Sequence, residues 1–303
     1  TILFNSKNES NDIFISDTVA NYVNSTKERI EENIQEWDFY KKFTNPYEFI
    51  HTSVNSTKNP VSKLHPISRA FYKLIEMYNI INLSKEGTIN TFHLAEGPGG
   101  FIEATAHYRN NSKDSYHGIT LVDVTNNEIP GWSKSASVLK NYPNINILHG
   151  ADNTGNLFSV ENFKDCTKKY CNSMDVITAD GGFDFSIDFN KQEELATRLI
   201  LTEVLYALML QKYGGVFILK IFDTFSKPTI DIIYLLSCFY DNVMIVKPKT
   251  SRPANSEKYL ICYGFKYKTT ETFFDKFNEI LIQLEINKIN TIKSILNIEY
   301  NYN

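Results

Sequence analysis

In the middle of the chain, short apolar runs typical of strands alternate with segments whose apolar residues have helical spacing. Short apolar runs rich in β-branched and aromatic residues, which are typical of buried strands, occur at 89–96, 116–123, 144–149, 174–179 and 215–222. Stretches with apolar residues at helical spacing lie at 67–81, 99–109, 155–171, 191–213 and 227–240. Strand–helix alternation of this kind predicts an α/β fold with a doubly wound, mostly parallel sheet and helices on both faces.

The end of this pattern predicts a different strand pairing. Apolar runs at 242–248 and 258–264 are separated only by a polar loop. Such a loop does not provide the crossover helix that parallel neighbours need. The two runs are therefore expected to pair antiparallel at one edge, so that the sheet has one antiparallel edge strand.

Helical spacing also occurs outside the alternating region, at residues 17–42 and in the tail from residue 270. A polar stretch at 52–59 separates the first of these from the central region. The predicted organisation is an N-terminal helical extension at 1–62, a central α/β domain at 63–268 and a C-terminal helical extension at 269–303.

Composition narrows the class of protein. The 303 residues are 42% hydrophobic, which excludes a disordered chain, and the formal charge of −4 makes any RNA contact depend on a local patch. The four cysteines form no CxxC pair. With no apolar leader and no run of about 18 apolar residues, we expect a soluble, intracellular protein without a metal or a membrane partner, and a monomer by default.

A glycine-rich turn follows the first predicted central strand. The strand ends at Glu96, and Gly97-Pro98-Gly99-Gly100 then leads into a helix that begins near Phe101. Glycine permits left-handed dihedrals, and its missing side chain lets backbone N–H groups meet a ligand at a helix N-terminus. Ile102 stands where a dinucleotide fingerprint needs glycine or alanine, which disfavours nicotinamide. Taken alone, the turn leaves open another ligand or none.

Polar residues with potential chemistry interrupt the strand ends. Asp180 ends one apolar strand, Lys220 lies inside another, and Glu257 opens a third. Lys73 lies on the helix before the first central strand. Each of these residues also has a purely structural explanation. Asp180 would cap a turn, the Lys220 side chain would reach the sheet edge, and Glu257 and Lys73 would be solvated surface groups. A buried ammonium without a partner costs several kcal/mol, however, and the carboxyl ends of parallel strands lie at one edge. We therefore expect these residues to lie together.

The ordered set Lys73, Asp180, Lys220 and Glu257, with Glu-Gly-Pro-Gly-Gly-Phe and Ala-Asp-Gly-Gly-Phe-Asp, resembles the FtsJ-like ribose 2′-O-methyltransferases and their Lys-Asp-Lys-Glu tetrad. The segment Lys-Pro-Lys-Thr-Ser-Arg-Pro-Ala-Asn-Ser-Glu at 247–257 is similar to the branch that methylates the first transcribed nucleotide of capped mRNA. The resemblance covers residues 65–265, and no tetrad position is replaced. It implies a Rossmann-like fold that uses S-adenosylmethionine, with the tetrad as catalytic residues.

The resemblance also implies a catalytic or cofactor-binding role for individual residues. Lys220, flanked by Asp180 and Glu257, would stabilise the alkoxide that develops at the 2′-oxygen, and Lys73 would orient the hydroxyl. Asp152 matches the family position that contacts the adenine amino group, and Asp123 would be the ribose-binding acid of a generic nucleotide fold. The implied cofactor-binding residues are Glu96, Gly97, Pro98, Gly99, Gly100, Phe101, Asp123, Asp152 and Asp180.

Capped mRNA is the implied partner, with other capping enzymes as further partners. The residues expected to contact RNA are Lys247, Lys249, Ser251 and Arg252, and the candidate stacking rings are Tyr72, Phe183 and Phe185. Many residues have A/T-rich codons, which points to a large DNA virus or a lower eukaryote. The expected location is accordingly the host cytoplasm or virion, or the nucleus for a cellular enzyme. Methylation of an internal ribosomal or transfer RNA ribose and a non-catalytic RNA-binding subunit stay open as alternatives.

Overall fold

The structure is a computed structural model of the chain and describes residues 2–5, 9, 11–40, 43–52, 60–123, 126, 129–182, 190–288 and 290–300. Within these residues the helices are α1 (Asp17–Glu32), α2 (Ile34–Tyr40), α3 (Ala70–Ile80), α4 (Gly100–Arg109), α5 (Ala136–Asn141), α6 (Val160–Tyr170), α7 (Gln192–Leu210), α8 (Lys227–Phe239) and α9 (Phe274–Ile286). The strands are β1 (Leu3–Phe4), β2 (Asn90–Leu94), β3 (Ser115–Ile119), β4 (Ile145–Leu148), β5 (Met174–Ala179), β6 (Gln211–Ile221), β7 (Tyr240–Val246), β8 (Lys258–Phe265) and β9 (Ile292–Ser294). Short 3₁₀ turns span Pro46–Ile50 and Glu271–Phe273.

Seven strands form the central sheet in the order β4-β3-β2-β5-β6-β8-β7. The first five are parallel, and β8 pairs antiparallel with both β6 and β7. The predicted α/β class and the antiparallel pairing of the last two runs are confirmed. The order reverses between β2 and β5, so the crevice beyond their carboxyl ends is the topological switch point, where ligands bind in open α/β sheets.

Both faces of the sheet are covered, which explains why its strands read as apolar runs. On one face lies α7, most of whose residues are buried, and its long apolar segment packs on Phe217 and Leu219. On the other face, α3 and α4 pack on β5, β6 and β8 through a smaller apolar cluster. This packing holds the carboxyl ends of β2, β5 and β6 in fixed positions relative to each other.

The second predicted strand is shorter than expected. We predicted a strand over 116–123, but β3 ends at Ile119. Beyond that point the Val122 N–H donates to the Thr154 carbonyl instead of a neighbouring strand. The backbone therefore leaves the sheet four residues before Asp123. The short helix α5 was not predicted either.

The two extensions carry the predicted helices α1, α2 and α9 and also a small sheet that the sequence pattern did not predict. Leu3 of β1 is opposite Ser294 of β9 in an antiparallel pair. The segment directly after β9 is held by Asp231 of α8, which accepts the Ile295 N–H at 2.8 Å. The domain boundaries at 62 and 268 stay predictions.

Two further features of the described residues limit the kinds of site that they form. No helix among them is long and apolar enough to cross a membrane. The same residues contain no group of three or more His, Cys, Asp or Glu side chains that could hold a metal ion.

Candidate active site

Two ion pairs lie side by side at the carboxyl edge of the sheet, and they contain the four tetrad residues. Asp180 directly follows β5, and Lys220 lies near the end of the neighbouring β6. Glu257 precedes β8, which pairs with β6, and α3 packs across this end of the sheet and supplies Lys73. Since sheet register fixes the three strand positions, the four side chains converge although 184 positions separate Lys73 from Glu257.

The first pair joins Lys220 to Asp180. The Lys220 Nζ donates to the Asp180 backbone carbonyl at 2.7 Å and lies 3.3 Å from the Asp180 Oδ1. Burial alone would lower the pKa of the Lys220 ammonium, but nearby carboxylates, led by Asp180 and Glu257, raise it above its ordinary value. Lys220 is therefore a cation at neutral pH. Gly182 lies beside it, and a Cβ there would be only 3.0 Å from the Nζ.

The second pair joins Lys73 to Glu257. The Lys73 Nζ lies 2.7 Å and 2.8 Å from the two carboxylate oxygens, and the Ser251 hydroxyl donates to the Glu257 Oε1 at 2.7 Å. Burial alone would raise the pKa of the Glu257 carboxyl, but the ammonium groups of Lys73 and Lys220 hold it well below its usual range. Glu257 is therefore ionised. Two cations and two anions give the tetrad no net charge.

Tyr259 connects the two pairs, and the sequence analysis missed it. Its hydroxyl donates to the Asp180 Oδ1 at 2.8 Å and lies 3.5 Å from the Lys73 Nζ. The ring is fully buried. A signal was available, since Tyr259 is two residues after Glu257 and so lies on the same face of the strand.

The glycine turn is built around Glu96. Its Oε1 accepts the backbone N–H groups of Phe101 and Ile102, each at 2.8 Å, so it caps the start of α4. Burial raises the pKa of the Glu96 carboxyl to about 8, against the opposing effect of these N–H groups. We expected the first N–H groups of this helix to meet a ligand, but Glu96 takes two of them. The Phe101 side chain lies in the core.

Backbone conformation and close packing explain why Gly97, Gly99 and Gly100 of this turn are glycines. Gly99 has a φ of 117°, which favours glycine. A Cβ at Gly97 would be 2.8 Å from the Gly131 carbonyl, and a Cβ at Gly100 would be 2.1 Å from the Ser68 hydroxyl. Pro98 stands between them, and its carbonyl accepts the Ser135 hydroxyl at 2.6 Å. These close approaches place the turn between the segment that follows β3 and the residues that precede α3.

The two remaining predicted cofactor acids differ in their surroundings. Asp152 lies in the loop after β4, where its Oδ1 accepts the Thr154 N–H at 2.9 Å and the Asn162 amide at 2.8 Å. Burial would raise the pKa of the Asp152 carboxyl, but these hydrogen bonds lower it below its ordinary value. Asp123 is exposed in the segment after β3. The prediction that Asp123 ends a strand is wrong, and its ribose-binding role stays a prediction.

The crevice at the switch point fits a positively charged nucleoside cofactor. At the end of β2, Ala95 has a φ of 50°, a conformation that non-glycine residues rarely adopt outside functional sites and turns. The Trp132 indole packs against Gly99 and Gly118, and its buried Nε1 has no hydrogen-bond partner among the described residues. Asp180 contributes negative charge to the same crevice.

Of the predicted RNA contacts, only Lys249 presents a free charge. It is exposed, and no described residue pairs with its ammonium group. Lys247 donates to the Asn255 carbonyl at 2.6 Å and to the Glu257 carbonyl at 2.7 Å, which fixes the loop before Glu257. Ser251 is buried against Glu257.

Arg252, the fourth predicted contact, is held by the N-terminal extension. Its guanidinium donates to the two carboxylate oxygens of Glu48 at 2.7 Å and 3.1 Å. Arg69 donates to the same carboxylate at 3.0 Å and to the Thr250 carbonyl at 2.8 Å. Burial would raise the pKa of the Glu48 carboxyl, but the two arginines lower it. We call Glu48, Arg69 and Arg252 the loop clamp.

Of the three stacking rings predicted from sequence, Tyr72 lies among the described residues. Phe183 and Phe185 lie outside the described residues. Tyr72 is half-buried, with its hydroxyl donating to the Leu64 carbonyl at 3.0 Å and its ring stacked on His51 at a centroid distance of 6.1 Å.

A cavity of about 700 Å³, which we call the aromatic cavity, adjoins the site. Its first wall comes from α1 and α2 and includes Tyr22, Trp37 and Tyr40. Its second wall is continuous with the site, because it includes Asp223, Asn255, Ser256 and Lys258. Asp223 lies three residues after Lys220, and Ser256 directly precedes Glu257. Sequence analysis placed no function in this extension.

Comparisons with known proteins agree with this geometry. Residues 66–265 match the family described as FtsJ-like methyltransferase. The match covers about two thirds of the chain, and the chain belongs to this family.

Two relatives and one solved structure illustrate the similarity. The chain is 29% identical to the cap-specific mRNA (nucleoside-2′-O-)-methyltransferase 2 of Danio rerio, over 81% of this chain and 34% of that protein. It is 32% identical to the cap-specific mRNA (nucleoside-2′-O-)-methyltransferase 1 of Trypanosoma brucei brucei, over 65% of this chain and 55% of that protein. The chain thus spans about a third and about half of these relatives' lengths. A putative ribosomal RNA methyltransferase from Plasmodium falciparum superposes with a TM-score of 0.46 at 21% identity, over 67% of this chain and 99% of that one.

Proposed function

We propose that the chain transfers a methyl group from S-adenosylmethionine to the ribose 2′-hydroxyl of the first transcribed nucleotide of capped mRNA. The observation that carries the proposal is the intact, charge-balanced tetrad at the carboxyl edge of the sheet, beside the switch-point crevice. The relatives named above support the choice of a capped substrate.

Lys220 is the residue for the central step. A ribose hydroxyl is scarcely ionised at neutral pH, so a site for its methylation must stabilise the negative charge that develops on the oxygen. The Lys220 ammonium has a raised pKa and is fixed by Asp180, so it can donate a hydrogen bond to that oxygen as the charge grows. S-adenosylmethionine, when bound, would supply a methyl group whose bond to the sulfonium sulfur breaks as the bond to the 2′-oxygen forms, so that a neutral thioether leaves and the hydroxyl proton is released.

The other tetrad residues position Lys220 and the hydroxyl. Glu257 holds Lys73, whose ammonium lies 3.5 Å from the Tyr259 hydroxyl that donates to Asp180. The 2′-hydroxyl would lie between the two ammonium groups, which orient it through hydrogen bonds. Such orientation is a major part of the rate enhancement when two substrates must be aligned.

The cofactor would lie across the ends of β2, β4 and β5. Asp152 would accept from the adenine amino group, and the turn at 97–100 would face the methionine end. Because Glu96 takes the Phe101 and Ile102 N–H groups, its contribution is to hold the turn in shape.

The aromatic cavity is the proposed place for a base of the capped RNA. Aromatic rings bind bases by stacking, and Lys27 and Lys258 on its walls, which both pair with Asp223, leave one net positive charge for a nucleotide phosphate. Continuity with the loop before Glu257 means that a strand whose first ribose reaches Lys220 can extend into the cavity.

The experiment that tests the proposed function uses short RNA that is either capped or uncapped, incubated with labelled S-adenosylmethionine. We expect label on the first ribose of capped RNA, and none with uncapped RNA. Label on an internal ribose of uncapped RNA would favour the internal-RNA alternative. No label with either RNA, although the cofactor binds, would favour a non-catalytic subunit.

The remaining partner and location expectations are part of the same proposal. A capped substrate has to be made by guanylyl transfer to an RNA end, so capping enzymes act before this chain. The site would work in whichever compartment holds these enzymes, the cytoplasm for a viral protein or the nucleus for a cellular one.

A further inference from the structure

One ionisable side chain close to Lys220 has no role in the mechanism above. Glu203 lies on α7 and is fully buried. Neither of its carboxyl oxygens has a hydrogen-bond partner among the described residues. An unpaired buried carboxyl is costly, and such groups need an explanation.

The position of Glu203 is fixed by the turn that follows Asp180. A Cβ at Gly181 would be 2.3 Å from the Glu203 Oε1, so glycine is needed at that position. The next glycine, Gly182, borders Lys220, because a Cβ there would be 3.0 Å from the Lys220 Nζ. The two adjacent glycines thus contact Glu203 and Lys220 in turn. The Gly181 N–H acts on the carboxyl electrostatically without meeting normal hydrogen-bond geometry.

The pKa of the Glu203 carboxyl depends on its burial and on the charged groups near it. Burial, the largest effect, raises the pKa of its carboxyl, Lys220 of β6 lowers it, and Asp180 after β5 raises it again, to about 8. Glu96, at the end of β2, is the third carboxyl of this region and is influenced by Asp180 as well. Glu203 is therefore a neutral acid at pH 7.

The protonation of Glu203 decides the charge of the site. With Glu203 neutral, the tetrad has no net charge, and the field of Lys220 reaches the 2′-oxygen. With Glu203 ionised, the site gains one negative charge next to Lys220, and this charge opposes the formation of an alkoxide. The effect is stronger than between solvent-exposed charges, because these groups are buried.

We propose that Glu203 is a positioning residue for methyl transfer: as a neutral acid beneath the Asp180–Gly181 turn it leaves the charge of Lys220 available to the reacting oxygen, and its ionisation at alkaline pH cancels that charge. This proposal rests on the proposed function.

The first measurement is kcat against pH for the wild type, Glu203→Gln and Glu203→Met, with Glu194→Gln on the same helix as a control. We expect similar rates at pH 7, and at pH 9 both uncharged variants to be on the order of tenfold faster than the wild type, because one pH unit above its pKa an acid is about ten parts ionised to one neutral. Glu194→Gln should follow the wild type. Coincident profiles for the wild type and a folded uncharged variant would overturn the proposal.

The second measurement does not depend on methyl-transfer activity. The infrared difference spectrum between the wild type and Glu203→Gln should contain the carbonyl band of a protonated carboxyl at pH 7, and this band should vanish between pH 7 and 9. Absence of the band at pH 7 would refute a neutral Glu203 even if methyl transfer is observed. Presence of the band without methyl transfer to any RNA would instead contradict the proposed function.

Discussion

The hydroxyl of Tyr259 donates a 2.8 Å hydrogen bond to the Asp180 Oδ1, and through this bond the two ion pairs of the site become one network. The same hydroxyl lies 3.5 Å from the Lys73 Nζ. Asp180 therefore receives hydrogen bonds from both sides of the site, from Lys220 at its carbonyl and from Tyr259 at its carboxylate. Movement of either lysine is limited by this connection.

Tyr259→Phe removes this connection and keeps the ring. We expect kcat to fall about tenfold, since a hydrogen bond to a charged group contributes roughly 1.5–3 kcal/mol and only part of it acts in the transition state. The KM for the cofactor should change little. Steady-state kinetics provide the measurement.

Tyr78→Phe is the matched control for that variant. Tyr78 is also fully buried, and its hydroxyl shares a 2.8 Å hydrogen bond with Thr105 away from the tetrad. Both variants should lose stability, Tyr78→Phe less because its partner hydroxyl is neutral, but only Tyr259→Phe should lose rate. Equal rates in the two variants would show that Tyr259 has only a structural role.

Lys220→Met should reduce methyl transfer to the background of the assay, because no other described cation is hydrogen-bonded to Asp180. Cofactor affinity, measured by calorimetry, should stay within about threefold, since Lys220 acts on the acceptor oxygen. Lys212→Met on the same strand is the control, because Lys212 pairs with Asp175 at the opposite end of the sheet and is exposed. Retained turnover in Lys220→Met would remove Lys220 from the proposed role.

Glu48→Gln should release the loop clamp. The neutral amide cannot pair with both Arg69 and Arg252, so the loop before Glu257 loses its tie to the N-terminal extension. We expect a loss of roughly 1–3 kcal/mol in stability and an increased KM for RNA with an unchanged KM for the cofactor. Glu279→Gln, in an exposed pair with Lys276, should change neither quantity. An unchanged KM for RNA in a folded Glu48→Gln protein would contradict the importance of the clamp.

Trp37→Ala tests the aromatic cavity. Loss of one stacking surface is worth roughly 1–3 kcal/mol per base, so the KM for capped RNA should rise about tenfold with little change in kcat. Tyr213→Ala, an exposed ring at the start of β6, is the control and should leave the KM unchanged. If Trp37→Ala binds and methylates RNA as the wild type does, the base does not lie in this cavity.

Stability should depend on pH through Glu203. Its folded pKa is raised from 4.5 to about 8, so the contribution of the protonated acid is fully present below 4.5 and is lost as the pH rises to 8. Urea unfolding at a series of pH values gives the free energy of unfolding. Between pH 5 and 8 this free energy should rise for Glu203→Gln relative to the wild type, by a few kcal/mol at most. A constant difference across this range would mean that Glu203 titrates at its ordinary pKa.

Much of the fold and the grouping of the tetrad could be predicted from sequence for a simple physical reason. A parallel sheet covered on both faces requires apolar strands, and such strands are recognisable without knowledge of their neighbours. Their carboxyl ends meet at one edge, so Asp180 and Lys220 could be expected to lie together as soon as their strands were recognised.

The contacts that complete the site depended on tertiary structure. Glu48 and Arg252 are 204 positions apart, and nothing in the local pattern of either indicates that one holds the other. Asp123 has the appearance of a residue at a strand end, but the hydrogen bond of Val122 to Thr154 takes the backbone out of the sheet before it. Glu203 reads as an ordinary polar position of a helix, although it is buried under the turn after Asp180.

The sequence by itself therefore determined the class of fold, the family and the residues at the strand ends, because these depend on local period and on short motifs. Only the tertiary structure decided which charges pair, which N–H groups are already taken and which carboxyl stays neutral. Those properties depend on distances and burial between residues far apart in the chain, and the charge and position of Lys220 depend on them.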